Sequence, residues 1–250
     1  MKEHEIVLRL IHEGLLSRKT GRADNYIHAS DIPKWCSRRF VLCSRLQRSF
    51  HPPKTISVAQ ALTFSIGEKI EEIVGEALAI HSPHVQVLED IVIQKKFGKT
   101  VVSGSIDKGL VLDRPRHLFV PIEIKSIKPD EFDTLTEPKL SHTVQVQTYL
   151  FLLSGQTKIV GRHLKSKTTV TIPLTGGAFN GRGVIVYICK TQKPEPIKTF
   201  LIEKDKTFEK WLKAVRKEIE GKTLPPKVCS HQGSALAREC PEVNYCFAEN

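Results

Sequence analysis

Apolar positions change period several times along the 250 residues, and each change predicts an element. Ile6, Val7, Leu10 and Ile11 recur at helical spacing, and residues 17–26 read as a loop. Ser30 or Asp31 is placed to cap a helix carrying Cys36, because short polar side chains satisfy the first unbonded helical amides. A helix from Ser57 to Ile80 follows. Val85 to Phe97, Thr100 to Leu112 and Leu118 to Ser126 then read as strands of a central sheet, the last two joined by a turn around Pro115. Ser141 to Leu153 predicts a helix packed on that sheet, with further strands at Lys158 to Leu174 and Gly181 to Lys190 and an edge at Thr199 to Ile202. Phe208, Trp211, Leu212, Val215 and Ile219 predict a last helix, which leads through Pro225-Pro226 into a cysteine-bearing tail. The expected class is α/β.

The polar faces of the strands carry the chemistry. Alternation puts Ser103, Ser105 and Asp107 on one face with Val102 and Ile106 on the other, and pairs Glu123 with Lys125 opposite Val120, Ile122 and Ile124. Neighbouring strands lie roughly 4.8 Å apart, so Asp107 and Glu123 are expected to converge. Two such carboxylates repel unless a cation lies between them, and a hard divalent ion such as Mg²⁺, with oxygen ligands at about 2.0–2.1 Å, suits the pair. Lys125 beside it would orient or help deprotonate a water and offset charge on a phosphate. Taken singly, each of these residues also reads as a solvated charge. Gln145 and Tyr149, four apart, share a helix face and read either as packing residues or as part of the site.

Charge narrows the partner. Lys and Arg total 38 against 27 Asp and Glu, a net charge of +11, and the isoelectric point of about 9.4 is in the range of nucleic-acid-binding domains. Arg38, Arg39, Arg45 and Arg48 flank Cys36, while Lys95, Lys96, Lys99, Lys165 and Lys167 decorate strand ends. Some of these are expected to track a DNA backbone, giving salt-sensitive binding. No apolar run reaches the roughly 18 residues of a membrane span, and acidic residues come too early for a signal or transit peptide. The expectation is a cytoplasmic protein, one compact domain with appended ends, without a disulfide framework. Cys43 and Cys189 lie in apolar surroundings and read as small buried hydrophobes.

Three motifs together carry a resemblance: Gly104-Ser105-Ile106-Asp107, Pro121-Ile122-Glu123-Ile124-Lys125 and His142-x-x-Gln145-x-x-x-Tyr149. They resemble the RecB-like branch of the PD-(D/E)XK nuclease superfamily. The resemblance implies a restriction-endonuclease-like mixed sheet flanked by helices. It also implies a catalytic set of Asp107, Glu123, Lys125, Gln145 and Tyr149, and Mg²⁺ or Mn²⁺ held by Asp107 and Glu123, with Glu71 and the Ile124 carbonyl as further ligands. In Gly67-x-x-x-Glu71 the glutamate stands where many relatives have histidine, and it also reads as a solvated neighbour of Glu68 and Glu72.

The cysteine layout is similar to that of an iron-sulfur subgroup that includes the CRISPR-associated Cas-four exonucleases and the AddB nuclease domain. Cys36 lies upstream of the core, and Cys229, Cys240 and Cys246 follow it. This implies a 4Fe-4S cluster in a helical subdomain formed by both ends, with zinc the chemical alternative. The gap from Cys229 to Cys240 is longer than the usual Cys-x-x-Cys, and His231 is a substitute ligand. The implied division is 1–56 for the N-terminal helical part, 57–220 for the nuclease core and 221–250 for the tail. The implied activity is that of a metal-dependent DNA nuclease, a single-strand exonuclease, with CRISPR adaptation or recombination and repair proteins as partners. The alternative is a non-catalytic DNA-binding adaptor on the same fold.

Overall fold

In the computed structural model, which describes residues 10, 13, 26–46, 48–50, 56–80, 84–97, 100–112, 118–191, 193–221, 223–238 and 240–248, period-two alternation resolves into two sheets. The smaller has the order β1 (Tyr26–His28), β4 (Thr100–Ile106), β3 (Ile91–Phe97). The larger runs β10 (Ile197–Glu203), β9 (Arg182–Cys189), β6 (Leu118–Ile127), β5 (Lys108–Leu112), β2 (Val85–Glu89), β7 (Lys158–His163), β8 (Thr169–Pro173). It is mixed: β6 and β9 are parallel and the other neighbours antiparallel. The expected helix at Ile6, Val7 and Ile11, the loop at 17–25, Lys99 and the turn around Pro115 lie outside the described residues.

Two segments expected to be single strands are each divided between the sheets. Val85 to Phe97 breaks at Asp90, whose φ of 55° is left-handed, a region that short polar side chains enter at lower cost than others. Thr100 to Leu112 breaks at Asp107: Ile106 pairs with Ile91 in the small sheet, whereas Lys108 pairs with Ile122 in the large one. The side-chain alternation continues unbroken through Asp107, so periodicity does not reveal the change of partner. Asp107 therefore stands at the seam between sheets rather than within a strand.

Helices cover both faces of the large sheet. On α2 (Val58–Ile80), Ile70, Val74 and Leu78 pack against Ile122, Ile124 and Val186. The opposite face of β6 carries Phe119, Glu123 and Lys125 and lies under α4 (Leu140–Leu153), whose Val146 and Leu150 join the main core. The short helix α3 (Pro129–Thr134) precedes it, and α5 (Lys206–Glu220) buries Leu212 and Val215.

The N-terminal part differs from its expected form in two ways. Tyr26–His28 is a strand, parallel to β4, so part of the segment joins a sheet. Cys36 is not inside a helix: a 3-10 turn at Ala29–Lys34, with Pro33 inside it, gives way to extended backbone at Trp35 and Cys36. Helix α1 (Ser37–Arg45) begins after Cys36, whose Sγ accepts the Arg39 amide at 3.4 Å. Of the two expected caps, Asp31 serves the 3-10 turn instead, where its Oδ2 accepts the His28 amide at 3.0 Å. The tail forms α6 (Ala235–Arg238) and α7 (Val243–Ala248). Among the described residues, no helix is long and apolar enough to cross a membrane.

Candidate active site

The seam between the sheets opens into a cleft of about 330 Å³ lined by Asp107, Glu123, Lys125, Gln145 and Tyr149, together with His28, Ala29, Ser30, Ser103 and Ser105. Alternation explains the grouping. Ser103, Ser105 and Asp107 project from one face of the β4 segment, Glu123 and Lys125 from one face of β6, and α4 crosses above them.

Glu123 has 0% of its surface exposed, and no water-facing edge compensates its carboxylate. Its compensation is ionic, through contact of its Oε1 with the Lys125 ammonium. Burial first, and then the charge of Asp107, push Glu123 up to about 7, with Lys125 opposing both. Burial also raises Asp107, against Lys125 and against the Ile124 amide, which donates to Asp107 Oδ2 at 2.7 Å. For Lys125 burial works to lower the pKa, but Glu123 and Asp107 outweigh it and hold the ammonium above its ordinary value. Lys125 is therefore a fixed positive charge beside the two carboxylates.

Glu71 lies at half-buried depth on α2, the helix packed against the other face of β6, outside the cleft lining. Burial and the charge of Asp107 push it up to about 7, and Lys125 and Lys108 oppose this, so it lies within electrostatic reach of the pair. Glu68 and Glu72 are exposed, and Glu71 is not a third solvated residue of that group. As they stand, no three His, Cys, Asp or Glu side chains among the described residues form a ready ligand set for a metal. The donors nonetheless suit a hard cation in kind: three carboxylates of raised pKa, one of them wholly buried, are what a divalent ion neutralises.

The helix motif is pinned to the small sheet. Gln145 Nε2 donates to the Tyr149 hydroxyl at 2.7 Å, and that hydroxyl donates to the Ser105 carbonyl at 2.7 Å. The Tyr149 ring is 1% exposed, so Tyr149 reaches the cleft by its hydroxyl and supports Gln145, which is half-buried. Gly104 accommodates that ring: a Cβ there would stand 2.9 Å from both Tyr149 Cδ1 and Cε1. Gly104→Ala is expected to cost about 1–3 kcal/mol through overpacking. Denaturant unfolding measures this, and wild-type stability would show that the ring yields freely. His142, on the same helix, faces Tyr187 rather than the cleft, with Nδ1 2.8 Å from its hydroxyl. Burial, then the charges of Lys125 and Lys139, push His142 down to about 4.

Sequence reasoning missed Lys108. Its buried side chain runs under α2 at Gly75, where a Cβ would meet Lys108 Cε at 2.6 Å, and its ammonium is 3.6 Å from Glu89. Glu89 also takes Arg162 at 3.0 Å and Lys167 at 2.8 Å. Period two places Lys108 opposite Asp107, which is the signal that it lies behind the site. His28, Ser30 and Ser103 carried no motif that marked them as cleft wall, beyond the polar alternation that Ser103 shares with Ser105 of the aspartate motif.

The cysteines divide as expected by surroundings. Cys43 and Cys189 are buried, and Cys43 is pushed up to about 11, by burial first and then by Glu242. Cys36, Cys229, Cys240 and Cys246 are partly exposed, and the thiols of the other three each act to raise that of Cys36 after burial has done so. Four thiols from the two ends of the chain thus lie in one neighbourhood, fitting zinc or an iron-sulfur cluster in donor type without forming a closed ligand set. His231 is an exposed loop residue.

The arginines and lysines expected on DNA are partly committed elsewhere. Arg38 is 6% exposed, Arg48 pairs with Glu242, Lys95 donates to the Ser154 carbonyl and Lys167 binds Glu89. Lys96 and Lys165 remain on the surface.

No protein-family model matches this chain, and neither does any curated protein. Among solved structures, one titled "Crystal structure of SSO0001" is 18% identical, covering 89% of this chain and 87% of its own, with a TM-score of 0.48. An alkaline exonuclease (LHK-Exo) from Laribacter hongkongensis is 15% identical, covering 85% and 92%, with a TM-score of 0.46.

Proposed function

We propose that the protein is a metal-dependent DNA nuclease of RecB-like type, a single-strand exonuclease with a structural iron-sulfur cluster, acting in CRISPR spacer acquisition or in DNA recombination and repair. The observation that supports this most is Glu123, a wholly buried carboxylate facing one cleft with Asp107 and a protonated Lys125. Asp107 and Glu123 would hold Mg²⁺ or Mn²⁺, with Glu71 and the Ile124 carbonyl as further ligands. A divalent ion bound there supplies a water of lowered pKa and neutralises charge on the phosphate.

The chain's own groups do the rest. The Ile124 amide donates to one oxygen of the Asp107 carboxylate and fixes its orientation, so that acid would present its other oxygen to the ion. Lys125 orients a water by donation and offsets charge gathering on the phosphate oxygens, because its ammonium holds its proton. Gln145, braced by Tyr149, contacts the strand beside the scissile bond. Cys36, Cys229, Cys240 and Cys246 would hold the cluster, which would join the two ends of the chain.

Incubation of anaerobically purified protein with end-labelled single-stranded and duplex DNA tests this reading. Shortening of single strands from an end with Mn²⁺, and its loss with chelator, is expected. If no DNA end is cut in any metal, the protein is a non-catalytic DNA-binding adaptor. A brown preparation with visible absorbance identifies iron; a colourless, zinc-loaded one replaces the cluster by zinc.

A further inference from the structure

Two arginines flanking Cys36 point inward, to the opposite end of the chain. Arg38 donates from Nη1 to the Pro225 carbonyl at 3.0 Å and from Nη2 to the Cys246 carbonyl at 3.2 Å. Arg48 donates from Nη1 to Glu242 Oε2 at 3.0 Å and from Nη2 to the Tyr245 hydroxyl at 2.7 Å, with its guanidinium 4.3 Å from the centre of the Tyr245 ring. Glu242 is 4% exposed and lies between Cys240 and Cys246 in sequence. Each arginine thus reaches across about 190 to 210 residues to bind the short tail that carries three of the four clustered thiols. A planar guanidinium with paired donors suits this task, because it fixes two acceptors in one geometry.

We infer that Arg38 and Arg48 form a clasp that docks the C-terminal tail on α1 and the segment just after it before any metal is bound, making them positioning residues for the four-cysteine site. The inference deepens the cluster reading above. The tail has little core of its own: α6 spans four residues and α7 six, and α7 buries none. Without the clasp, a metal would have to close the whole chain between Cys36 and the tail. With it, the backbone carbonyl of Cys246 is already bonded to α1, and the thiols have a short distance to close. Side chains that orient metal ligands typically govern about 10- to 100-fold in affinity.

The test uses the full chain stripped of metal. Zn²⁺ is titrated in competition with a chromophoric chelator, and the rate of tryptic cleavage in the tail, at Lys227 and Arg238, is followed without metal. The wild type is expected to resist cleavage of its tail when metal-free. Arg38→Met and Arg48→Met are expected to expose the tail and weaken Zn²⁺ binding about 10- to 100-fold each. Arg38→Lys keeps the charge but not the two-carbonyl geometry, and is expected to fall close to Arg38→Met; wild-type affinity there would assign a purely electrostatic role and overturn the clasp. Tyr245→Phe, a milder change at a partly exposed site, guards against misfolding of the arginine variants and is expected to raise the cleavage rate alone. Wild-type tail protection and affinity in both arginine variants overturns the inference. A wild type whose Zn²⁺ uptake equals that of Cys240→Ser refutes the cluster reading instead, and the metal-free cleavage rates still decide the clasp.

Discussion

If the proposed nuclease reading holds, Lys125→Ala is expected to lower DNA cleavage by on the order of a thousand-fold, with folding and DNA binding near wild-type levels. The size follows from what is lost: one fixed donor and charge at the place where negative charge develops, a type of contact that commonly contributes a factor of 100–1,000. Folding survives because Glu123, though buried, is not left as a bare ion. With its ammonium partner gone its pKa rises further from about 7, and it takes up a proton. Single-turnover cleavage of end-labelled single-stranded DNA with Mn²⁺, beside a circular dichroism melt and a DNA-binding isotherm, measures all three quantities. Near-wild-type cleavage would remove Lys125 from the chemistry and with it the proposed reading of the cleft.

The second large effect is on stability. Glu123 and Glu71 are both pushed up to about 7 from 4.5, chiefly by burial, so the folded protein holds protons that the unfolded chain releases. The slope these two contribute is negative, offset in part up to about pH 6.5 by His142, which is held down to about 4 from 6.5: metal-free protein loses stability as pH rises from about 4.5 through 7, most steeply above about 6.5, by on the order of a few kcal/mol. Below the unfolded value the penalty is absent. A divalent ion that binds the ionised carboxylates reverses it, so Mn²⁺ raises the melting temperature more at pH 8 than at pH 5. Glu123→Gln, which removes the buried charge, flattens the slope and stabilises the metal-free protein at pH 8 while abolishing cleavage. Melts across pH with and without Mn²⁺ read this directly; stability of the metal-free wild type that rises across the same range would mean the carboxylates are not buried as ions.

Several features of this cleft are legible from single elements. Alternation alone places Glu123 beside Lys125 and away from Ile122 and Ile124, and the structure has all four so, with the two isoleucines packed under α2. Helical spacing likewise puts Gln145 and Tyr149 on one face, where they bond to each other. The boundaries of α2, α4 and α5 fall within a residue or two of their expected ends, because long apolar repeats over 14 to 23 residues leave little choice of register.

Other features depend on partners far apart in the chain. The change of sheet at Asp107 depends on which strand receives each hydrogen bond, a choice that leaves side-chain alternation untouched. Gly104 in the aspartate motif and Tyr149 in the helix motif are coupled by one steric contact across 45 positions. Arg38 and Arg48 look like DNA-facing charges until the tail is folded against them.

The sequence by itself determined the long helices, the polar faces of the strands and the identity of the acids, lysine and cysteines, since each follows from local geometry and side-chain chemistry. Tertiary structure alone decided that Asp107 lies at a seam between sheets, that Glu123 is fully desolvated, that Lys108 backs the site and that the chain ends are joined through arginines. Burial and electrostatic coupling arise from groups brought together over tens to hundreds of residues, and no local period encodes which of those groups will meet.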